Sequence, residues 1–416
     1  MERFQLLEEI DVLISQTKYK KASQLIEEIK LNTFEPIIKD ILVVLEMKLN
    51  RTWKFDLKNK LVDDFLINFK SHNLTEWYGQ AVVEYLYPRV FKGELDDSLI
   101  ILNENSDLLN TIKNKETSST ILNLYGIING FKGNFDKALH YYQLSYQLRQ
   151  QLPINKLMIE SLYNIGENYF FQGNYEKAEE ALSLSLASIK EGISFSTQIY
   201  ILHAYFDLCL KLGDLNKAND IHNQIELLLE EFPEFDRIKL IHVLTKALLL
   251  KNSSRMKDKM VAQELLAGID LNEINDNQLK LKVLKNLCEL LLIELKSTGD
   301  NAVLMEILDA VGELNATANL MNSNRAIVES LLLQAKLMLI QGNLVVAQTI
   351  YEEVVEICTH TDLGELGIVA DDDFENFKKQ VISWQEMIDS NSSIFDRIEK
   401  TKIMNYINWV SDISNQ

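Results

Sequence analysis

The chain has 416 residues, of which 47% are hydrophobic and 25% are charged, and these proportions are typical of a folded protein rather than a disordered one. Its 15 glycines and 4 prolines are too few for an all-β fold, which needs a turn about every 8–12 residues. The 61 acidic residues outnumber the 42 basic ones, and the net charge of −19 disfavours binding to nucleic acids because the chain repels phosphate.

Residues 1–73 are predicted to form a first segment of two degenerate helix hairpins, with breakers around residues 30–36 and 50–52. The first turns carry Glu8, Glu9 and Asp11, whereas a signal peptide begins with basic residues and an apolar run. We therefore expect no signal peptide. No helix of this segment has the basic face that a DNA-recognition helix needs.

A repeated glycine turn marks residues 74–232, the second segment. Glycines lie 40 residues apart at positions 93, 133, 173 and 213. The last three begin the sequences GNFDKA, GNYEKA and GDLNKA, and they define repeats four, five and six. Apolar residues flank each turn at spacings of three and four, which predicts amphipathic helices with one buried face. We expect each glycine to adopt a positive φ that ends the first helix of a hairpin.

The best copy, repeat five, has Leu162, Gly166 and Tyr169 before its turn and Ala178 after it. Gly166 and Ala178 are small where the two helices of a hairpin must touch. At these residues the sequence resembles the tetratricopeptide repeat (TPR) family, although Asn129 replaces the usual aromatic residue in repeat four. The spacing of 40 residues exceeds the usual repeat length of about 34 residues. In this respect the chain is similar to long-period prokaryotic arrays without an evident effector domain.

The resemblance implies an all-α fold, a right-handed TPR-like α-solenoid of about nine helix hairpins with C-terminal capping helices. Residues 233–362 are the third segment, with degenerate hairpins at 235–268, 277–318 and 322–358. The last of these hairpins has a glycine turn at Gly342. The sequence leaves open whether 235–318 are true TPRs.

Residues 363–416, the fourth segment, are predicted to be capping helices. The final helix has apolar residues along one side: Ile394, Ile398, Ile403, Tyr406, Ile407 and Val410. Because the end of a solenoid exposes apolar surface, we expect this helix to cover that end. The alternative is that the helix docks in the groove of the same chain or on another copy of it.

Three cysteines, Cys209, Cys288 and Cys358, lie far apart in apolar helical stretches. This placement favours reduced, buried thiols over disulfides. No apolar run approaches the length of about 18 residues that a membrane-spanning helix needs. We therefore expect a cytoplasmic protein that does not contact a membrane.

The first helix of each hairpin in a stacked array faces the concave groove, so the positions between its core positions are candidates for partner binding. The predicted partner-binding residues are Tyr87, Asn123, Ile127, Tyr163, Asn164, Glu167, Phe170, Tyr200, His203 and Asp207. Asn side chains can donate to and accept from a peptide backbone at once, and aromatic residues supply apolar anchors. The acidic residues in the set favour a basic ligand. Phe170 is equally compatible with a place in the core between repeats.

Signatures of catalysis are missing from the sequence, which has no glycine-rich phosphate loop, no HExxH or GxSxG motif and no CxxC pair. His203 and Asp207 lie one helical turn apart and could share a metal ion, but two ligands are too few for a site. We therefore predict no enzyme activity, no cofactor and no metal.

These observations favour a non-catalytic scaffold that binds a peptide segment of a partner protein in the concave groove. The alternative is a peptide-gated regulatory receptor whose solenoid changes pitch when the ligand binds. The expected partner is a protein or peptide, preferentially basic, and neither a nucleic acid nor a membrane. The sequence indicates neither the identity of the partner nor the oligomeric state.

Overall fold

The computed structural model describes residues 2–15, 18–31, 35–49, 66–152, 155–189, 195–274, 276–361, 363 and 365–407. Across these ranges the chain consists of α-helices joined by turns and short loops, without a β-strand. The all-α fold class is therefore confirmed. None of the helices in these ranges combines the length and the hydrophobicity that a bilayer-spanning helix requires.

The helices follow one another as hairpins. They are α1 (Glu2–Ser15), α2 (Tyr19–Leu31), α3 (Pro36–Leu49), α4 (Thr75–Phe91), α5 (Leu95–Glu104), α6 (Ser106–Leu109), α7 (Lys115–Phe131), α8 (Phe135–Arg149), α9 (Asn155–Phe171), α10 (Tyr175–Ala187), α11 (Phe195–Lys211), α12 (Leu215–Glu231), α13 (Asp236–Lys251), α14 (Met256–Ala267), α15 (Asn277–Thr298), α16 (Asn301–Leu320), α17 (Asn324–Gln341), α18 (Leu344–His360), α19 (Glu365–Asp389) and α20 (Ile394–Thr401). The sequential pairing matches the predicted TPR-like solenoid class. Within the second predicted hairpin, residues 50–65 lie outside the described residues.

Two compact units make up the chain, Met1–Ile201 and Leu202–Gln416, and each is described by itself. The boundary between them falls inside α11. The four segments predicted above, 1–73, 74–232, 233–362 and 363–416, divide the chain by the quality of its repeats. That division stays a prediction.

Glycine turns end the first helix of the hairpins, as the repeat predicts. The φ angles are +78° at Gly133, +75° at Gly173 and +73° at Gly213, and Gly342 repeats the conformation at +83°. In each turn the residue after the glycine donates its N–H to a carbonyl five residues earlier, as from Asn174 to the Tyr169 carbonyl at 2.9 Å. This bond satisfies a helix-end carbonyl, and the left-handed conformation it requires is strained for residues with a Cβ.

Close contact between the two helices of a hairpin explains two further repeat positions in the first unit. A Cβ added at Gly126 would lie 2.4 Å from the Tyr142 ring, and one added at Gly166 would lie 2.6 Å from Leu182. A serine hydroxyl also crosses each hairpin, since Ser145 Oγ donates to the Ser119 carbonyl at 2.7 Å. The same bond recurs 40 residues later, from Ser185 Oγ to the Ile159 carbonyl at 3.0 Å.

A buried arginine joins repeats four and five. Arg149, at the end of α8, is 1% exposed. Its Nη1 donates to the Leu157 carbonyl at 2.8 Å and to Ser161 Oγ at 3.1 Å, and its Nε donates to Ser119 Oγ at 3.3 Å. The guanidinium therefore ties α8 to α7 and α9 through donors that would otherwise be buried without partners.

The second unit ends in a core that the C-terminal helices complete. Leu366, Phe377 and Trp384 of α19 and Ile398 of α20 are buried in the same cluster as α15–α18. The Tyr406 hydroxyl, just after α20, donates to a backbone carbonyl of α17 at 2.9 Å. The C-terminal segment thus covers α17 and α18 as a cap does. Val410, the last apolar residue assigned to this segment, lies outside the described residues.

Candidate functional site

The predicted binding residues of the first unit lie on its first helices, and most of them form a continuous polar and aromatic row. We call this row the first-helix strip and define it as Tyr87, Asn123, Tyr163, Asn164, Glu167 and Tyr200. It takes one or more residues from each of α4, α7, α9 and the beginning of α11. The helix register places these residues between the core positions that pack against the second helices.

Two asparagines connect α7 and α9 at the centre of the strip. Asn164 Nδ2 donates to Asn123 Oδ1 at 2.8 Å. Within the described residues, Asn123 Nδ2 donates no hydrogen bond and Asn164 Oδ1 accepts none. The pair therefore retains one donor and one acceptor, which are the two groups needed to bond a peptide C=O and N–H.

Aromatic rings flank the asparagine pair. Tyr163 and Tyr200 have ring centroids 6.3 Å apart at an interplanar angle of 49°. On the other side, Tyr87 lies 5.5 Å from Phe91, which makes an edge contact with Phe131 at 5.5 Å. Tyr87, Tyr163 and Tyr200 are half-buried, so part of each side chain reaches the surface while the ring contacts a neighbouring ring.

An acidic group lies beside these rings. Tyr142, from the second helix of repeat four, is buried, and burial raises the pKa of its hydroxyl well above the usual value. The Glu167 carboxylate and the Tyr87 phenol add to this pKa increase. Glu167 and Tyr87 therefore each lie near Tyr142. Glu167 itself is half-buried and brings negative charge to the strip.

Three predicted residues are more enclosed than expected. Ile127 is 5% and Phe170 is 6% exposed, and both belong to the hydrophobic core, so their assignment to an open groove is corrected. The reason is that a first helix packs against its own partner, the preceding hairpin and the neighbouring first helix, which leaves a narrower open strip. Asn123 is 2% exposed, and its Oδ1 accepts from Asn164.

His203 and Asp207, on the part of α11 that belongs to the second unit, have a partner that the sequence did not reveal. Lys282 of α15 donates to the Asp207 carboxylate, and its Nζ lies 3.0 Å from His203 Nε2. Burial, followed by the charge of Lys282, lowers the pKa of His203 to about 4. The imidazole is therefore neutral near pH 7, and Lys282 offsets the charge of Asp207. In sequence the lysine lies 75 residues from Asp207, beyond any local pattern.

The third side chain at His203 and Asp207 is a lysine rather than a further metal ligand. Across the described residues, no three or more His, Cys, Asp or Glu side chains come together as a metal site would require. At Asp207 an ammonium group already stands where a cation would bind. The arrangement joins α11 to α15 by charge.

Comparisons with known proteins bear on the fold. A model of the tetratricopeptide repeat family matches residues 117–191, and no curated protein matches the chain. Among solved structures, a Rap protein in complex with Competence and Sporulation Factor is 12% identical, with 92% of this chain and 99% of that chain covered at a TM-score of 0.47.

Two further solved structures align with this chain. The apo form of the quorum sensor NprR from B. thuringiensis is 17% identical, with 74% of this chain and 87% of that chain covered at a TM-score of 0.48. Yeast Tom70 is 16% identical, with 92% and 83% covered at a TM-score of 0.42. The family match identifies residues 117–191 as tetratricopeptide repeats, and glycine turns and sequential helix hairpins of the same kind continue outside this range.

Proposed function

We propose that the protein is a non-catalytic interaction scaffold whose first-helix strip binds an extended peptide segment of a partner protein. The observation that carries this proposal is the Asn123–Asn164 pair. Its two amides are fixed by one mutual hydrogen bond, so the remaining donor and acceptor are held in place before a ligand arrives. Such preorganisation reduces the entropy lost on binding.

The rings beside the pair supply the apolar part of the interaction. Tyr163 and Tyr200 are on adjacent first helices and contact each other, so a ligand side chain placed on either ring would meet both. Tyrosine contributes a large contact area at a small cost in side-chain entropy. We infer that the peptide backbone bonds the asparagines while one of its apolar side chains packs on these rings.

A basic residue in the ligand fits the charge of the strip. Glu167 provides a carboxylate next to the asparagine pair, and the chain as a whole carries a net charge of −19, which attracts cationic segments at long range. The prediction of a basic ligand rests on Glu167 in the first unit, since Lys282 offsets Asp207 in the second.

The chemistry of the strip supports binding rather than catalysis. Its six members are two amides, three phenols and one carboxylate. This set lacks a thiol, an aliphatic hydroxyl or an imidazole that could serve as a nucleophile with its base. We therefore propose that the partner leaves chemically unchanged.

Capture of partners from native lysate, followed by mass spectrometry, tests this function. We expect a partner of the wild-type protein to be lost when Asn123 and Asn164 are both changed to Ala. A matched control is Asn216→Ala, at an exposed position of α12, which should capture the same partner as wild type. Circular dichroism should show that all three proteins are folded. Equal capture by the double variant would reject the strip as the binding face.

The Lys282 cluster favours a second function, a peptide-gated regulator. One flexible side chain joins α11 to α15, so a cationic ligand that replaced it at Asp207 would release that connection. Hydrogen exchange followed by mass spectrometry would show faster exchange in α11 and α15 when the captured peptide is added. Unchanged exchange at saturating peptide would exclude gating through this cluster.

A further inference from the structure

A second surface feature of the first unit lies on the opposite side of α7 from the first-helix strip. An open surface cavity of 440 Å³ is lined by residues of α5, α7 and α8: Leu99, Asn103, Tyr125, Asn129, Asp136, Lys137, His140 and Tyr141. Tyr125 and Asn129 are each offset by two residues from the strip-side positions Asn123 and Ile127. At about 100° per residue, an offset of two residues is a rotation of about 200° around the helix.

The cavity coincides with a ring that repeat four lacks. Asn129 occupies the position that Tyr169 fills 40 residues later in repeat five. In repeat five the ammonium group of Lys177 lies 5.3 Å from the Tyr169 ring centroid. The equivalent lysine of repeat six, Lys217, lies 4.7 Å from the ring of Tyr205. A lysine over an aromatic ring therefore recurs in these two repeats, with the ring at the position of Asn129 in repeat five and at the position of Tyr125 in repeat six.

The corresponding lysine of repeat four has no ring beneath it. Lys137 is exposed and lines the cavity. It has neither an ion-pair partner nor an aromatic partner within the described residues. Repeat four thus keeps the cationic half of the cation–π pair of repeat five and has an asparagine in place of Tyr169. Its Tyr125, at the position of Tyr205 in repeat six, stacks on Tyr141 instead.

The walls of the cavity suit an aromatic group. Tyr125 and Tyr141 stack with ring centroids 5.0 Å apart at 18°, and His140 meets Tyr141 edge-on at 5.7 Å. Burial raises the pKa of Tyr125 to about 12, so its phenol stays protonated. Asn129 is 6% exposed and donates to the Tyr125 carbonyl at 2.7 Å, while its Oδ1 accepts no hydrogen bond within the described residues.

We propose that this cavity binds an aromatic side chain of a partner protein, which supplies the ring that repeat five provides with Tyr169. The ring would stack on Tyr141 and lie under the Lys137 ammonium, and a polar N–H or O–H on it could donate to Asn129 Oδ1. An enclosed cavity of about 150 Å³ accommodates benzene, so 440 Å³ leaves room for a whole side chain. This site is separate from the first-helix strip and does not depend on its function.

Saturation-transfer NMR with N-acetyl-tryptophanamide and N-acetyl-leucinamide as probes tests the proposal. Wild-type protein should transfer saturation to the tryptophan amide and at least several-fold less to the leucine amide. Asn129→Tyr restores the ring in cis, so it should reduce transfer to the tryptophan amide at least tenfold. Absence of transfer in the wild type, or equal transfer in wild type and Asn129→Tyr, would overturn the proposal.

A matched pair of lysine variants keeps the test decisive if Asn129→Tyr does not fold. Lys137→Ala should lower transfer several-fold, because it removes the unused cation. Lys177→Ala makes the same change beside Tyr169 and should leave transfer unchanged. Equal transfer in these two variants would contradict a ring placed under Lys137. Asn164→Ala should also leave transfer unchanged, which distinguishes failure of this site from failure of the first-helix strip.

Discussion

The first helices of the two units belong to the same kind of hairpin, but different contacts join neighbouring helices in the two units. In the first unit, α7, α9 and the start of α11 are joined by an amide pair and by tyrosine rings, whereas Lys48 of α3 pairs with acidic residues of α1 and α7. In the second unit neighbouring first helices are joined by ion pairs, since Lys251 of α13 contacts Glu289 of α15 at 2.5 Å and Lys285 of α15 contacts Glu329 of α17 at 2.5 Å. The same repeat can therefore present a surface with unbonded polar groups, as at the Asn123–Asn164 pair, or a surface whose charges are already paired.

This difference bears on which surface a ligand can use. Glu329 is 4% exposed and also accepts from Arg325 Nε at 3.1 Å. A ligand in the second unit would have to break such pairs and leave a buried charge without its partner, which costs several kcal/mol. A ligand on the first-helix strip, as proposed, would complete the hydrogen bonds that the Asn123–Asn164 pair leaves open. The contrast favours the first unit as the main binding region.

The substitution with the largest expected effect lowers the stability of the first unit and leaves that of the second unit unchanged. Arg149→Ala removes the buried donors to Leu157, Ser161 and Ser119, and we expect a loss of about 3–5 kcal/mol in local unfolding free energy. Hydrogen exchange should show faster exchange in α7–α9 and unchanged exchange in α15–α18. Arg255→Ala, at an exposed position, is the control. A loss under about 1 kcal/mol would contradict a structural role for the guanidinium.

The next effect is a pH dependence confined to the second unit. The pKa of His203 is about 4 in the folded protein, against its ordinary value of 6.5, so the unfolded chain binds a proton first as the pH falls. The contribution of the neutral His203 to the free energy of unfolding is complete above pH 6.5. It is lost between pH 6.5 and about 4, by up to about 3 kcal/mol. Burial lowers the pKa of His222 and His242 as well, and they act in the same direction.

Comparison of variants isolates the part due to His203. His203→Gln should unfold with a weaker pH dependence than wild type between pH 6.5 and 4, measured by urea denaturation. His140→Gln, at an exposed position in the first unit, should follow the wild-type curve. An identical pH dependence of wild type and His203→Gln would show that the imidazole is not held neutral.

A smaller effect tests the close contact of helices within a repeat hairpin. Gly126→Ala would place a Cβ 2.4 Å from the Tyr142 ring, and overpacking of this kind costs about 1–3 kcal/mol. Gly312→Ala, in α16 of the second unit, brings its Cβ within 4 Å of no described neighbour. That substitution should be neutral or stabilising by up to about 1 kcal/mol. The midpoint of thermal unfolding should fall for Gly126→Ala and should stay unchanged or rise for Gly312→Ala. Equal shifts in the two variants would argue against the close contact between Gly126 and Tyr142.

The smallest expected effect concerns the charge pair in the second unit. Asp207→Asn combined with Lys282→Met should change the unfolding free energy by about 1 kcal/mol or less, because burying an ion pair brings little net stability. Each single substitution should cost more than the pair. A double-mutant cycle in urea gives the coupling energy. A larger loss in the double variant than in both singles would contradict this view of the cluster.

The sequence predicted the features that depend on local chemistry. The turns at Gly133, Gly173 and Gly213 need a positive φ, and this need is visible in the six residues of each turn. Gly166 was expected to lie at a close contact inside its hairpin, and Leu182 fills that space. These interactions fall within one repeat, so a single period of sequence contains both partners.

Interactions between hairpins could not be predicted from the sequence. Ile127 and Phe170 were assigned to an open groove, but neighbouring helices bury both, and no periodicity within one helix distinguishes these two surroundings. Lys282 faces Asp207 from a helix 75 residues away. The cavity beside Asn129 has one sign in the sequence, an asparagine where the repeat has an aromatic residue. That substitution indicates a binding site only once the structure places Lys137 beside the cavity.

Site-specific photo-crosslinking in native lysate is the most direct test of the difference between the two units. A photoreactive residue at Tyr163 in the first-helix strip should crosslink a segment of a partner protein, and Asn164→Ala in the same chain should abolish the crosslink. The same residue at Asn286 of α15, where the amide accepts from Lys251 at 2.7 Å, should give no crosslink to that segment. A crosslink at Asn286 without one at Tyr163 would place binding on the second unit and contradict the account.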